Sequence, residues 1–286
     1  MIKHAYGHKA PKTPHKHLAL KRLTAPAVPL PPVVSLRPIC SPVIDQSTAG
    51  SCTGCASKSG IELLSQRAIN DGVWNGPLFM ASALGIYACE RIADSTLDQD
   101  AGASIADAAA ALERGVIPDA DWPYDLSMLF VAPTVTAMAD SLRVKLVDAT
   151  AIDNDHDTIR GCLAQGFPIL IGVSVYDSFE AAFQQGEHGD VPMPNTSTES
   201  LLGGHALLLV GYDDNKKQYT FKNSWGDAVG DGGYGTFPYA FIEDSTLTSE
   251  LYELRRIAQF PDASPPATVP PAAIPPAAPA DPMATV

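Results

Sequence analysis

Gln46-Ser47-Thr48-Ala49-Gly50-Ser51-Cys52 decides how this chain reads, and it takes its meaning from two later segments, Gly204-His205-Ala206 and Lys222-Asn223-Ser224-Trp225-Gly226. A cysteine attacks only as thiolate, so by itself Cys52 says little; it needs a base or a positive neighbour. A histidine supplies that base, and an amide oxygen on its far ring nitrogen fixes the tautomer and the ring orientation. Cys52, His205 and Asn223, in that order, are the parts of a nucleophilic cysteine centre. Cys52 also follows Gly50-Ser51 and opens a predicted helix, whose amino terminus favours an anion.

The bulk numbers set the frame. With 286 residues, 45% hydrophobic and 18% charged, the chain has the composition of a soluble globule. Its longest apolar runs, 167–171 and 206–210, have strand length and cannot span a bilayer. The amino terminus lacks the pattern of a Sec signal, because its apolar part at 25–34 is proline-rich; the expectation is a cytoplasmic protein. Five cysteines, Cys40, Cys52, Cys55, Cys89 and Cys162, are too sparse for a disulfide framework.

Charge divides the chain. Residues 1–37 hold five Lys, two Arg and four of the seven His, with no Asp or Glu, so a basic arm precedes an acidic body in a chain of net charge −13. Residues 261–286 hold nine Pro and eight Ala and are expected to be extended and polyproline-like. Between them, residues 38–260 form the domain. From about 51 to 114 the pattern is helical: 52–69, 80–92 and 103–112. From about 142 it changes to strands: 144–147, 168–175, 205–212, 219–222 and 234–237. Helices first and strands second imply an α+β fold of two separate layers, with lobes of about 42–140 and 141–260.

At these residues the chain resembles the papain-like cysteine peptidases, its short bacterial members in particular, from about Pro42 to Ile242. The resemblance implies a two-lobed fold, a helical half packed against a β-barrel half with the cleft between them. It implies Cys52 as nucleophile, His205 as base, Asn223 as the orienting amide and Gln46, six residues before the cysteine, as oxyanion donor. Trp225 would shield the His–Asn bond. Gly102, in the turn at 100–105, and Gly204 would bind an extended polypeptide substrate through the backbone. Ala103, Gly172 and Gly203 would line the pocket for the residue second from the scissile bond, and their small size implies a roomy apolar pocket. Two departures remove aromatic packing: Thr53 follows the nucleophile where the family has tryptophan, and Val229 stands at a second tryptophan position. The family's usual disulfide positions appear as Ala49 and Gln99, in keeping with a reducing compartment.

Cys52-Thr53-Gly54-Cys55 also reads as a redox pair or half a zinc site, but no second cysteine or histidine pair completes a metal cluster and no βαβ unit precedes it. Cys55 is expected to be structural. His156 and His188 are expected in exposed loops, which leaves His205 as the base. No metal or organic cofactor is implied, nor a nucleic-acid or membrane partner, and a monomer is expected. Residues 1–37 are expected to cover part of the cleft as a tethered partner, held by charge and loosened by salt. A catalytically silent binding protein and an acyl-transfer amidase on the same fold remain the alternatives.

Overall fold

The computed structural model describes residues 5–10 and 29–259. The rest of the basic arm and the Pro/Ala-rich tail, with the extended conformation expected of it, lie outside the described residues.

The first half is helical around one buried rod, α1 (Cys52–Asn70), whose side chains are buried from Cys52 to Ser65. Small residues keep this helix slim. Its one buried charge pair, Lys58 to Glu62, is satisfied at 2.6 Å, and Lys58 also donates to the Ala81 carbonyl at 2.8 Å. Burial of that pair is tolerable because neither charge is left alone. Against α1 lie α2 (Ala83–Ala93), capped by Ser82, and α3 (Ile105–Arg114), opened by a reciprocal Ser104–Asp107 capping box. A short α4 (Val135–Asp140) completes the helical part.

The second half is one antiparallel sheet. Its strands are β1 (Val33–Ser35), β2 (Val144–Ala151), β3 (Ile169–Tyr176), β4 (Leu201–Asp213), β5 (Gln218–Lys222), β6 (Tyr234–Pro238) and β7 (Thr248–Gln259). They are ordered β2-β7-β3-β4-β5-β6, with β1 on β4. Three short helices sit among them: α5 (His156–Ala164), α6 (Asp177–Ala182) and α7 (Tyr239–Glu243). The centre is β3 against β4, where Ile169–Val173 and His205–Val210 are buried. α1 and the sheet belong to one hydrophobic core that includes Ile61, Leu208 and Leu254. The expected two-part α+β architecture is the architecture found.

The longest elements that had not been expected are β7 and α5. β7 carries Glu250 and Glu253 at buried positions beside Leu251 and Leu254, and these charges mask its strand pattern. α5 lies inside what read as the strand-only half, although Asp155 caps it and Ile159, Cys162 and Leu163 form a helically spaced buried face. His156 accordingly opens a helix and pairs with Glu243 at 2.7 Å, rather than standing in an exposed loop.

Candidate active site

The two halves meet where α1 begins. Cys52 is the first residue of α1, His205 lies in β4 opposite Val173 of β3, and Asn223 follows β5. His205 Nε2 lies 2.9 Å from Asn223 Oδ1, which also accepts the Ser224 N–H at 2.8 Å. An oxygen that accepts from an amide is the acceptor toward the ring as well, so Nε2 carries the hydrogen and Nδ1 keeps its lone pair. Trp225 stacks over His205 with centroids 5.2 Å apart and planes 25° from parallel. Cys52 receives backbone N–H groups at Ala206, Gly7 and Thr53, so its sulfur lies beside the residue that follows His205. Burial pushes the thiol up to about 11 despite those bonds.

Gln46 is fully buried and ties the halves together. Its Nε2 donates to the carbonyls of Ala49 at 2.9 Å and Ala5 at 3.1 Å, and its Oε1 accepts from Ser224 Oγ at 2.5 Å. Its backbone N–H bonds to the Ser224 carbonyl at 2.8 Å. The glutamine amide is thus oriented by the segment that carries Asn223.

Residues 5–10 lie across this junction. The His8 N–H donates to the Gly204 carbonyl at 3.0 Å, the Lys9 N–H to Ala103 at 2.9 Å, and the Ala103 N–H to Gly7 at 2.8 Å. These form a parallel bridge between His8 and Ala103. Ala103 is thus the residue that pairs with the arm, while the N–H of the neighbouring Gly102 donates to the Tyr87 hydroxyl at 2.8 Å. A Cβ on Gly102 would overlap the Gly7 carbonyl. Tyr6 bonds to Glu180 and faces His205 and Trp225 edge-on, with centroids 6.2 and 6.4 Å away. Gly203 packs against Tyr6. The His8 imidazole lies against Gly172, an expected pocket residue, and Gly204, an expected backbone contact, and the surroundings are not purely apolar: Glu250 lies there, 3.0 Å from His8 Nε2.

Several contributors escaped the sequence reading. Phe179 on α6 and Phe183 just past it pack edge-on beneath Trp225 at 5.4 and 5.3 Å, supplying aromatic packing where Val229 replaces a tryptophan. Thr53 hydrogen-bonds buried Glu90 at 2.6 Å. In place of the absent disulfide, Asp100 accepts from the Gly50 N–H at 2.8 Å and from Tyr87 at 2.6 Å, joining the nucleophile loop to the glycine turn. Buried Arg91 holds the same turn through the carbonyls of Leu97 and Gln99. Cys55 is buried beside Ser51 and Tyr124, its thiol pushed up to about 12 by burial. Among the described residues no cluster of His, Cys, Asp and Glu could hold a metal ion. No described helix is long and apolar enough to cross a membrane.

The model of the papain family cysteine proteases matches residues 30–250. The chain belongs to this family. As a papain-family member it is a thiol protease. It is 33% identical over 223 residues to an uncharacterized peptidase C1-like protein of Acanthamoeba polyphaga mimivirus, covering 75% of this chain and 70% of that protein. It is 25% identical to cysteine proteinase 2 of Entamoeba histolytica over 197 residues, 68% of this chain but only 58% of that protein. The crystal structure of xylellain, a cysteine protease from Xylella fastidiosa, superposes with a TM-score of 0.77 at 30% identity, covering 88% of this chain and 96% of that one.

Proposed function

We propose that this papain-family protease hydrolyses peptide bonds with Cys52 as nucleophile, and that residues 5–10 hold it in a self-blocked state. The observation that carries the chemistry is the convergence of Cys52, the Asn223-bonded His205 and Gln46 at the junction of the two halves. Cys52 Sγ, once its proton has passed to His205 Nδ1, attacks the peptide carbonyl carbon. The carbonyl oxygen becomes an oxyanion that Gln46 Nε2 and the Cys52 N–H receive. His205 then gives its proton to the leaving amine, and the C–N bond breaks to leave a thioester. A water, deprotonated by His205, attacks that thioester and releases the acid and Cys52. Asn223 keeps the ring in one tautomer and orientation throughout.

The blocking role of the arm is supported by its polarity. The Ala5 carbonyl accepts from Gln46, and the residues that follow it, Gly7 to Lys9, run along Ala103 and Gly204. A substrate attacked at that carbonyl would place the residues that precede it there. The arm therefore runs opposite to a substrate, so occupancy does not lead to cleavage.

The test is turnover of a fluorogenic dipeptide under reducing conditions, with labelling by a thiol-directed epoxide, for the intact chain and Cys52→Ala. Turnover and labelling that both vanish in Cys52→Ala are expected. A full-length chain carrying His8→Asp, which sets a second carboxylate against Glu250 and releases the arm, that still neither cleaves nor labels would sink the peptidase assignment.

A further inference from the structure

Cleavage by Cys52 makes no use of the second thiol on its helix. Cys55 follows Cys52 by three residues in α1 and is fully buried. Three residues advance a helix by about 4.5 Å and carry it most of the way round, so the two Cα atoms lie about 5 Å apart. That falls within the window of roughly 4.4–6.8 Å across which a disulfide closes. The sulfurs are near enough that a charge on Cys52 acts on Cys55. Both belong to the first turn of α1, closed by the Cys55 N–H on the Ser51 carbonyl at 3.0 Å, and Cys52 at its start has no earlier turn to hold it.

A line of hydroxyls sets the orientation of the Cys55 thiol. Tyr124 gives its hydrogen to the Gln46 carbonyl at 2.9 Å. The Ser51 hydroxyl, 2.5 Å from the Tyr124 oxygen, therefore donates to it, and the Cys55 S–H, 3.8 Å from Ser51 Oγ, donates to Ser51. With its hydrogen turned toward Ser51, the sulfur presents its lone pairs to an electrophile elsewhere. The other three cysteines stand on separate segments with neighbours of their own. Cys40 bonds to the Leu36 carbonyl, Cys89 lies 4.0 Å from the Met138 sulfur and Cys162 bonds to Glu253. Cys55 is the cysteine that shares a helix with Cys52.

We propose that Cys52 and Cys55 form a reversible disulfide, which hydrogen peroxide closes and a dithiol reopens, and which takes the nucleophile out of service while it is closed. The proposal rests on Cys52 being the nucleophile and adds a modification site to that role. Cys52, as thiolate, attacks one oxygen of the peroxide. The O–O bond breaks, Cys52 becomes a sulfenic acid, and the departing hydroxide takes the proton held on His205 Nδ1 and leaves as water. Cys55 Sγ then attacks Cys52 Sγ. The S–S bond forms, the S–O bond breaks, and the hydroxide leaves with the Cys55 proton as a second water. In all, two thiols lose two electrons and the peroxide gains them. Burial keeps the Cys55 thiol protonated, and its fixed place one turn away offsets that weak nucleophilicity, since no encounter by diffusion is needed. Without Cys55, the sulfenic acid meets a further peroxide and becomes a sulfinic acid, which thiols do not reduce. The second cysteine thus halts oxidation at a stage that reduction reverses.

The experiment uses the full-length chain carrying His8→Asp, whose released arm leaves Cys52 open to oxidant, with and without Cys55→Ser. Each protein is exposed to hydrogen peroxide, quenched and divided. One portion is assayed for turnover of the fluorogenic dipeptide before and after dithiothreitol. The other is blocked with iodoacetamide, and the peptide bearing Cys52 is weighed and fragmented by mass spectrometry. With Cys55 present, turnover is expected to fall by about 10-fold or more and to return on reduction, and the peptide should lack two hydrogens, with the link between residues 52 and 55. With Cys55→Ser, turnover before peroxide is expected to be unchanged, whereas the same exposure adds two oxygens to Cys52 and turnover does not return. Four results would overturn the switch while leaving the peptidase standing: turnover that peroxide leaves intact with Cys55 present, a sulfinic acid on Cys52 in that protein, a link from Cys52 to Cys40, Cys89 or Cys162, or equal recovery in Cys55→Ser. The peptide mass with Cys55 present decides the question even where Cys55→Ser fails to fold. A chain that neither cleaves nor takes the epoxide at Cys52 before any peroxide is added would overturn the peptidase reading, and the switch with it.

Discussion

Gly7→Ala is the most informative single change, because it perturbs the arm without touching the body. Gly7 lies so close to Gly50 that a Cβ would overlap the Gly50 carbonyl oxygen. The seated arm is only marginally favoured. Four hydrogen bonds involving its backbone, from His8, from Lys9, to Gly7 and to Ala5, contribute on the order of 1 kcal/mol each. The Tyr6–Glu180 and His8–Glu250 contacts, made to carboxylates, contribute roughly 1.5–3 kcal/mol each. Against these stands the ordering of six residues, at roughly 1–2 kcal/mol per residue. The two sides nearly cancel, so losing two backbone bonds, about 2 kcal/mol, shifts the closed-to-open ratio about 30-fold. In the intact chain, Gly7→Ala is therefore expected to raise kcat/KM for a fluorogenic peptide, by at most about 30-fold and with the wild-type closed-to-open ratio as the ceiling. The gain should fall on KM, since a tethered competitor is displaced at saturating substrate. Alkylation of Cys52 by iodoacetamide should accelerate in parallel, with Tm nearly unchanged because Gly7 supports no core residue. Unchanged turnover and unchanged alkylation would refute the self-blocking arm. The contacts described for residues 5–10 are backbone bonds and buried pairs, which ions screen poorly, so raised salt is expected to loosen this part of the arm little, in contrast to the charge-held docking expected from the sequence of residues 1–37.

Three further outcomes follow from the same geometry. Gln46→Ala in the arm-released chain is expected to lower kcat by about 100- to 1,000-fold, the loss of one oxyanion donor; a purely structural glutamine would lower Tm and leave kcat per folded molecule intact. Glu90, buried beside Thr53, is pushed up to about 8, mainly by burial. The folded state therefore holds a proton that the unfolded state releases above the usual carboxylate range, so stability is greatest at low pH and falls as pH rises to about 8. Glu90→Gln should abolish that slope, and melting curves of the two proteins should converge at pH 5 and separate at pH 8; parallel curves would refute it. Arg91→Met strips the carbonyls of Leu97, Gln99 and Leu129 of their donor, which should cost roughly 3–5 kcal/mol and lower Tm by about 6–15 °C, with KM raised because the turn at Gly102 loosens.

The fold class was legible, and Cys52, His205, Asn223 and Gln46 could be proposed together, because their signals are local. A helix start at Cys52, a buried β-run through His205 and an amide next to Trp225 each announce themselves within a few residues. The elements that tune the site are assembled through space. Phe179 and Phe183 reach Trp225 from a helix more than forty residues upstream, and nothing in their own neighbourhood marks them as its support. The tie that replaces a disulfide is made by an ordinary aspartate, Asp100, whose partners Gly50 and Tyr87 lie in two other segments. That the arm pairs with Ala103 and not with its neighbour Gly102 depends on backbone direction, which residue identity does not encode.

Glu250 joins the two largest omissions. A glutamate at a buried strand position breaks the apolar alternation by which a strand is recognised, so β7 passed unread. The residue that hid the strand also changes the pocket, from the apolar slot that Gly172 and Gly203 suggested to one floored by a carboxylate. Both follow from one physical fact. A carboxylate is buried only where something compensates it, and here the compensation is the amino terminus of α3, a hundred and forty-five residues earlier in the chain. A charged residue that interrupts a strand pattern is thus more than noise. Its burial requires donors, and donors that hold a carboxylate at the edge of a cleft leave its remaining lone pairs facing whatever enters.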